Sequence, residues 1–388
     1  MRTEKNKIIY FDNAASSWPK PESVYKAMDD FMRNIGGNPG RSGHRLSIEA
    51  ARIIFEARES LAELFGVKDS SRIIFASNAT EALNLAIRGT VKKGSHVITT
   101  GFEHNSVMRP LRFLEKVLDA QITIIGPSED FPIDLKALEK AITGKTSLII
   151  STHGSNVTGD IFPIAEIARI ARVHKTPFLV DASQTAGSLP INLSDLGIDM
   201  FVFTGHKALF GPQGTGGLYI KEEIELAPLK QGGTGSRSEY EEQPEFLPDK
   251  FESGTPNTVG IAGLGAGVRY ILKTGIQKIW DKKKHLRSYI SKKLKDIEGI
   301  NTYGNRMAEG LSVISFNISG ISPAKMACDL SEKYGIMTRP GLHCSPSAHK
   351  TIRTFPEGTL RISLGSFNTE EEIDYFIRCL KKISKNPA

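Results

Sequence analysis

The chain has 388 residues, of which 39% are hydrophobic and 24% charged, and its formal net charge is +7. That length exceeds one ordinary core and points to two domains, and the composition excludes a disordered chain. Three cysteines (Cys328, Cys344, Cys379) exclude a disulfide framework, and no apolar run approaches the roughly 18 residues of a membrane span.

The N-terminus, MRTEKNKIIYFD, has no apolar signal region, so a cytoplasmic protein with free thiols is expected and no membrane partner. From about residue 50 to 220, short apolar runs alternate with helical patterns. The strand candidates are Arg72–Ala76, His96–Thr100, Gln121–Ile125, Ser147–Thr152, Phe178–Asp181, Met200–Thr204 and Gly217–Ile220. Runs of that kind suit strands buried on both faces of a mostly parallel sheet. Helices such as Ile164–His174 separate them, with Ile164, Ile167, Ala168 and Ala171 on one face. The rhythm predicts an α/β, doubly wound sheet, with ligands at the carboxyl ends of its strands.

Residues 231–257 break the rhythm with Gly, Pro and charge, and read as an ordered loop anchored by Phe246, Leu247 and Phe251. A long helix is expected from Val259, and then a smaller alternation of helix and strand. The basic run Lys282-Lys283-Lys284-His285-Leu286-Arg287 falls in a helical pattern whose apolar positions are Ile279, Leu286, Ile290, Leu294 and Ile297. Its lysines are expected on the solvated face, and no aromatic platform accompanies them, so nucleic acid is not an expected partner. The predicted domains are 16–257 and 258–388, with 1–15 packing against the second. In the second, the loop Arg339–His349 lies between strands near Ile336–Thr338 and Thr359–Ser363.

Three stretches carry chemistry. In FVFTGHKALFGPQGTGG a buried strand ends at Thr204 and is followed by His206 and Lys207. A lysine in apolar sequence needs a partner or a covalent role, unless its ammonium snorkels to the surface. In PFLVDASQTAG, Asp181 ends another buried strand, either as a helix cap or as a carboxylate aimed at a cationic ring nitrogen. In IIFASNATEALN, Asn78, Ala79, Thr80 and Glu81 open a helix, either as plain capping or as an anion cradle. A lysine, an acid and a phosphate cradle together are the set that pyridoxal 5'-phosphate requires.

With these residues in place the chain resembles the fold-type I, class V aminotransferase-related pyridoxal enzymes, and among them the cysteine desulfurases and selenocysteine lyases. The matching blocks span nearly the whole chain: YFDNAASSWPKP, GNPGRSGH, NATEALN, EHNSV, HGSNVTG, TGHK, FESGTPNT, RPGLHC and LRISLGSFNT. The resemblance implies a large sheet domain with a smaller α+β C-terminal domain. It implies that Lys207 bonds the cofactor covalently and Asp181 keeps its ring nitrogen protonated. His104 would stack on the ring and move protons, and Asn156 and Gln184 would lie beside its phenolic oxygen. Ala79, Thr80, Thr204 and His206 would hold the phosphate, and Thr255 would reach the phosphate of a partner subunit, which implies a homodimer with shared sites. Arg361 would anchor the substrate carboxylate, with Arg339, Asn13, Ala14 and Asn156 lining the substrate end.

The cysteine in RPGLHCSPSAH separates a desulfurase from other members. Cys328 and Cys379 sit in helical patterns, where packing explains them, but Pro340, Gly341 and Pro346 keep Cys344 in an irregular loop. His343 and the nearby arginines are expected to lower its thiol pKa. The implied activity converts L-cysteine to L-alanine, leaving the sulfur on Cys344 as a persulfide for an acceptor, as in iron–sulfur assembly. The alternatives are L-selenocysteine as substrate, or another class V reaction such as transamination or elimination. A pyridoxal-binding module without turnover is a further alternative.

Overall fold

The structure is a computed structural model that describes residues 8–40, 43–237, 239–304 and 309–385. Residues 1–7 of the N-terminal segment, two positions of the GNPGRSGH block and one of the 231–257 loop lie outside the described residues.

Among the described residues, thirteen strands make three sheets. They are β1 (Ile9–Tyr10), β2 (Ile73–Ala76), β3 (His96–Thr100), β4 (Gln121–Ile125), β5 (Thr146–Thr152), β6 (Phe178–Asp181), β7 (Met200–Thr204), β8 (Gly216–Ile220), β9 (Ile300–Tyr303), β10 (Val313–Ile318), β11 (Ile336–Met337), β12 (Arg339–Gly341) and β13 (Thr359–Ser363). The large sheet has the order β2-β8-β7-β6-β5-β3-β4, in which only β8 runs antiparallel to its neighbours. All seven strands expected from the apolar runs are there, with ends shifted by a residue at most.

Alternation sorts the side chains of these strands to two buried faces. Ile98, Ile149, Val180 and Phe201 face one layer of helices; Val97, Leu148, Leu179 and Val202 face the other. Burial on both faces is why the strands read as continuous apolar runs rather than as alternating ones. A second core forms where β12, β13, β10 and β9 make an antiparallel sheet covered by the helices Pro323–Tyr334 and Glu370–Ser384. The N-terminal segment joins it: β1 pairs in parallel with β11, and Ile9 and Phe11 are buried there.

Packing does not change at residue 258. The helix Thr258–Thr274 lies against the helices Glu22–Asp30 and Arg45–Phe65, and its Leu264, Ala266, Val268 and Ile271 belong to the large core. Small residues make this close fit, since a Cβ at Gly265 would stand 2.9 Å from the Ala57 Cβ. The change of core comes along the next helix, Ile276–Leu294. Its Ile279 packs with the large core, while Leu286, Ile290 and Leu294 pack with the small one.

That position corrects the reading of the basic run. Lys282 is exposed, but Lys283 is only 8% exposed and its Nζ donates to Ser188 Oγ at 2.6 Å. Lys283 stands four residues after Ile279 and three before Leu286, so helical spacing puts it on the buried stripe itself and not on the face opposite. Burial pushes the Lys283 ammonium down to about 8. In the 231–257 loop, Phe251 is buried as expected, Leu247 is half-buried and Phe246 stays exposed. The stronger anchor is Glu252, which takes Arg58 in a two-pronged ion pair at 2.7 and 2.9 Å and also accepts from Phe75 N.

Phe316 is fully buried in the small core and meets Phe376 edge-on. Phe316→Ala should cost about 3–5 kcal/mol in urea unfolding. A loss below about 1 kcal/mol would mean that this core is not packed as described.

Candidate active site

The carboxyl ends of β5, β6 and β7, the start of the helix Ala79–Thr90 and the paired arginines of β12 and β13 enclose a cavity of about 220 Å³. Twelve of the fifteen residues expected at the site line it; Asn13, Thr255 and Cys344 do not. Asp181, at the last position of β6, is buried, and its Oδ1 accepts from Ser183 N at 2.9 Å and Ser183 Oγ at 2.5 Å. Lys207 lies three residues past the end of β7 in a tight turn. Burial holds its ammonium down to about 8, while the Asp181 charge works the other way and raises it.

His104 caps the helix Asn105–Leu118. Its Nδ1 accepts from Ser106 N at 3.1 Å, so in the neutral ring the proton sits on Nε2. Burial, helped by the positive Lys207, pushes this imidazole down to about 4. Ser106 Oγ stands 2.9 Å from the same Nδ1 and 2.8 Å from Thr80 Oγ1, so it joins the expected stacking residue to the expected phosphate cradle.

The start of the helix Ala79–Thr90 is capped as its sequence suggests. Asn78 Oδ1 caps Glu81 N at 2.9 Å and Glu81 accepts from Ser77 N at 2.7 Å. The N–H groups of Ala79 and Thr80, in the first helical turn, have no intrahelical acceptor and stand at the cavity. His206 lines the cavity opposite. Its carbonyl accepts from Ser17 N at 3.1 Å and Lys20 Nζ at 3.2 Å, and burial pushes its ring down to about 4. Gln184 Nε2 donates to Ala14 O at 3.1 Å, which fixes both at the cavity edge.

At the other end, Arg361 is 1% exposed. Nη2 pairs with Asp12 Oδ1 at 2.6 Å and Nη1 donates to Asn156 O at 3.0 Å. Arg339 is its register partner across the sheet, and Arg339 Nη2 reaches Cys344 Sγ at 3.3 Å. Cys344 is exposed and stands beyond the cavity lining, with Arg339 between. Its backbone is left-handed, φ 60°, as is that of His343, φ 50°.

Two residues are placed elsewhere, and a third does not play its expected part. Asn13 borders a smaller adjoining cavity, and its amide is committed to Tyr10 O, Ser363 O and Asn368 Oδ1 at 3.1–3.2 Å. Thr255 lines a separate cleft with Ser77, Glu81 and Lys230. His343 does not supply positive charge to the thiol. It is buried against Thr359 Oγ1 at 3.1 Å, and burial and the two arginines drive it far below its usual range, which leaves Arg339 as the cation at the Cys344 sulfur among the described residues.

Several functional neighbours escaped the sequence reading. Asp12 could have been sought, because a buried arginine requires a carboxylate. Ser106 and Ser183 give no signal until the chain is folded. Glu103 is 0% exposed, beneath the site: its Oε1 accepts from Thr100 Oγ1 at 2.7 Å and Thr152 N at 2.9 Å. Burial, reinforced by the Asp181 charge, raises it to about 8.

The residues present fit a pyridoxal phosphate. His206 Nδ1 and Arg361 Nε are buried without a hydrogen-bond partner among the described residues, and both belong to side chains that line the cavity. The donors at one end suit a phosphate, and Asp181 at the floor suits a protonated ring nitrogen.

A buried aspartate at the end of one strand and a desolvated lysine just past the end of its parallel neighbour define the class: a lysine-centred enzyme on the aminotransferase scaffold. The family profile of the class-V aminotransferases matches residues 9–376. A probable cysteine desulfurase of Methanothermobacter thermautotrophicus is 34% identical, over 97% of this chain and 94% of that one. Another, of Pyrococcus abyssi, is 35% identical, over 98% and 95%. The apo cysteine desulfurase of Thermococcus onnurineus superposes with a TM-score of 0.91 at 34% identity, covering 97% of this chain and 95% of that one. The chain belongs to the class-V aminotransferase family, in its cysteine desulfurase branch.

Two pH dependences follow. In cofactor-free protein, acetylation of Lys207 should have its midpoint near pH 8, and Asp181→Asn should move it down, because the carboxylate favours the charged amine. An unmoved midpoint in pH-resolved peptide mass spectrometry would contradict the placement of Asp181. Glu103 holds its proton to about 8 when folded but releases it near 4.5 when unfolded. Its contribution to stability therefore declines as pH rises between those values. Glu103→Gln keeps an acceptor oxygen, so its urea midpoint should gain on that of the wild type across this window.

Proposed function

We propose that the protein is a pyridoxal-phosphate-dependent cysteine desulfurase that moves the sulfur of L-cysteine onto Cys344. The observation that carries this reading is the Arg339 contact. One guanidinium lines the cavity and touches Cys344 Sγ, so the nucleophile stands at the mouth of the site with a positive partner. It lies close enough that its charge acts on both Lys207 and Arg361.

When bound, the cofactor supplies an electron sink for the bonds at the substrate's α-carbon. Lys207, Asp181, His104, Asn156 and Gln184 would hold its ring, and Ala79, Thr80, Thr204 and His206 its phosphate. Arg361 orients the substrate. Five N–H bonds leave a guanidinium, and Asp12 and Asn156 use two here, so three remain for a carboxylate. Lys207, with its pKa near 8, exchanges a proton readily at neutral pH. The Cys344 thiolate attacks the substrate sulfur, an S–S bond forms and the C–S bond breaks with its electron pair going to carbon. Protonation of that carbon gives alanine. The sum is L-cysteine plus Cys344 thiol giving L-alanine plus Cys344 persulfide, with no oxidant needed.

Exposure of Cys344 suits the next transfer, to a protein or small-molecule acceptor such as an iron–sulfur assembly partner. We further read the protein as a cytoplasmic homodimer with Thr255 completing the phosphate site of its partner, which the position of Thr255 outside the Lys207 cavity favours.

Cys344→Ser should lower alanine formation from L-cysteine on the order of 100-fold while leaving the cofactor absorption band in place. Wild-type Cys344 should gain one sulfur atom by mass spectrometry after exposure to L-cysteine. A wild-type rate in the variant would sink the desulfurase reading. Equal rates of the variant and wild type on L-selenocysteine alone would instead assign the protein as a selenocysteine lyase.

A further inference from the structure

The segment that carries Cys344 is fastened to residues that line the cofactor cavity. Asn156 Nδ2 donates to His343 O at 2.8 Å, and Ser345 Oγ donates to Asn156 Oδ1 at 2.8 Å. One amide thus grips the loop on both sides of Cys344. A carbonyl oxygen can only accept, so His343 O fixes which way the amide faces, and its oxygen is left to Ser345. The second N–H of Asn156 is then free for the cavity that Asn156 lines.

Ser345 is itself 0% exposed, and its N–H donates to Leu342 O at 2.8 Å, closing a turn around the cysteine. Cys344 O accepts from Asn105 N at 2.9 Å, the residue after His104. The loop therefore hangs at once from Asn156, an expected cofactor contact, and from the neighbour of His104, another.

We propose that Ser345 is a positioning residue that sets the Asn156 amide toward the cofactor and Cys344 toward the substrate, so that cofactor occupancy and cysteine placement are coupled. The reach toward the cofactor rests on the desulfurase reading, while the tie between Ser345, Asn156 and the loop rests on the hydrogen bonds alone. Without the Ser345 hydroxyl, Asn156 Oδ1 loses its partner and the amide is free to turn. The N–H aimed into the cavity and the peptide on either side of Cys344 loosen together.

Ser345→Ala tests this with two readouts that need no turnover. Affinity for pyridoxal phosphate, followed by its absorption, should weaken roughly two- to tenfold, as for one buried hydrogen bond. Alkylation of Cys344 by iodoacetamide should change by a similar factor relative to exposed Cys328 in the same sample, resolved by peptide mass spectrometry. Movement of both supports the coupling; movement of neither, or of only one, overturns it. Should Ser345→Ala not fold, the wild-type protein supplies the measurement. Its Cys344-to-Cys328 ratio should differ between cofactor-loaded and cofactor-stripped samples, and an unchanged ratio overturns the proposal. Neither experiment uses L-cysteine, so a protein that makes no alanine would refute the desulfurase reading and leave this result standing.

Discussion

The buried ion pair between Arg361 and Asp12 is the constraint from which the site is built. A guanidinium removed from water needs a carboxylate and further acceptors, and losing its partner costs about 3–5 kcal/mol. Here the carboxylate comes from the N-terminal segment, the arginine from β13 and the second acceptor, Asn156 O, from the turn after β5. Three distant parts of the chain must meet for this charge to be buried. The place where they meet is the junction of the two cores, which is where the cavity lies. The N-terminal segment is thereby a working part of the site, and β1 pairing with β11 brings Asp12 to its position.

The charges around the cavity divide sharply. His104 and His206 are kept neutral by burial, as is Glu103 beneath the floor at neutral pH. Lys207, Arg339 and Arg361 carry positive charge, and Asp181 is the negative group at the floor. An anionic cofactor and a carboxylate substrate both gain from this balance. Holding the imidazoles neutral avoids repulsion with the lysine and leaves them as hydrogen-bonding groups. The two arginines face one another across β12 and β13, and the cost of that juxtaposition is offset where each has its own partner, Asp12 for one and the Cys344 sulfur for the other.

Much of this could be read from the chain. Strands buried on both faces announce themselves as apolar runs, and polar residues at their carboxyl ends, Asp181 and Lys207 above all, stand out against them. Family blocks then placed His104, Asn156 and Arg361 around the same cavity. What escaped depends on contacts made only after folding. Ser106, Ser183 and Ser345 are ordinary serines until their partners arrive. Lys283 falls at helical spacing between Ile279 and Leu286 and is buried with them, but its charge disguised a place on the apolar stripe. His343 sits next to the cysteine in sequence, yet its ring is buried against Thr359 and His349 at the cavity wall.

The left-handed backbone of Cys344 bears on how the protein can evolve. Glycine would occupy the φ of 60° at position 344 without the roughly 1 kcal/mol that a Cβ adds there. A drift toward glycine would therefore be rewarded by stability and, on the proposed role of Cys344, opposed by the need for its sulfur. A descendant of this chain released from sulfur chemistry should lose the cysteine early, while Lys207, Asp181 and the buried arginine persist. On that proposed role the loop would mark the reaction, for the rest of the site would outlast it.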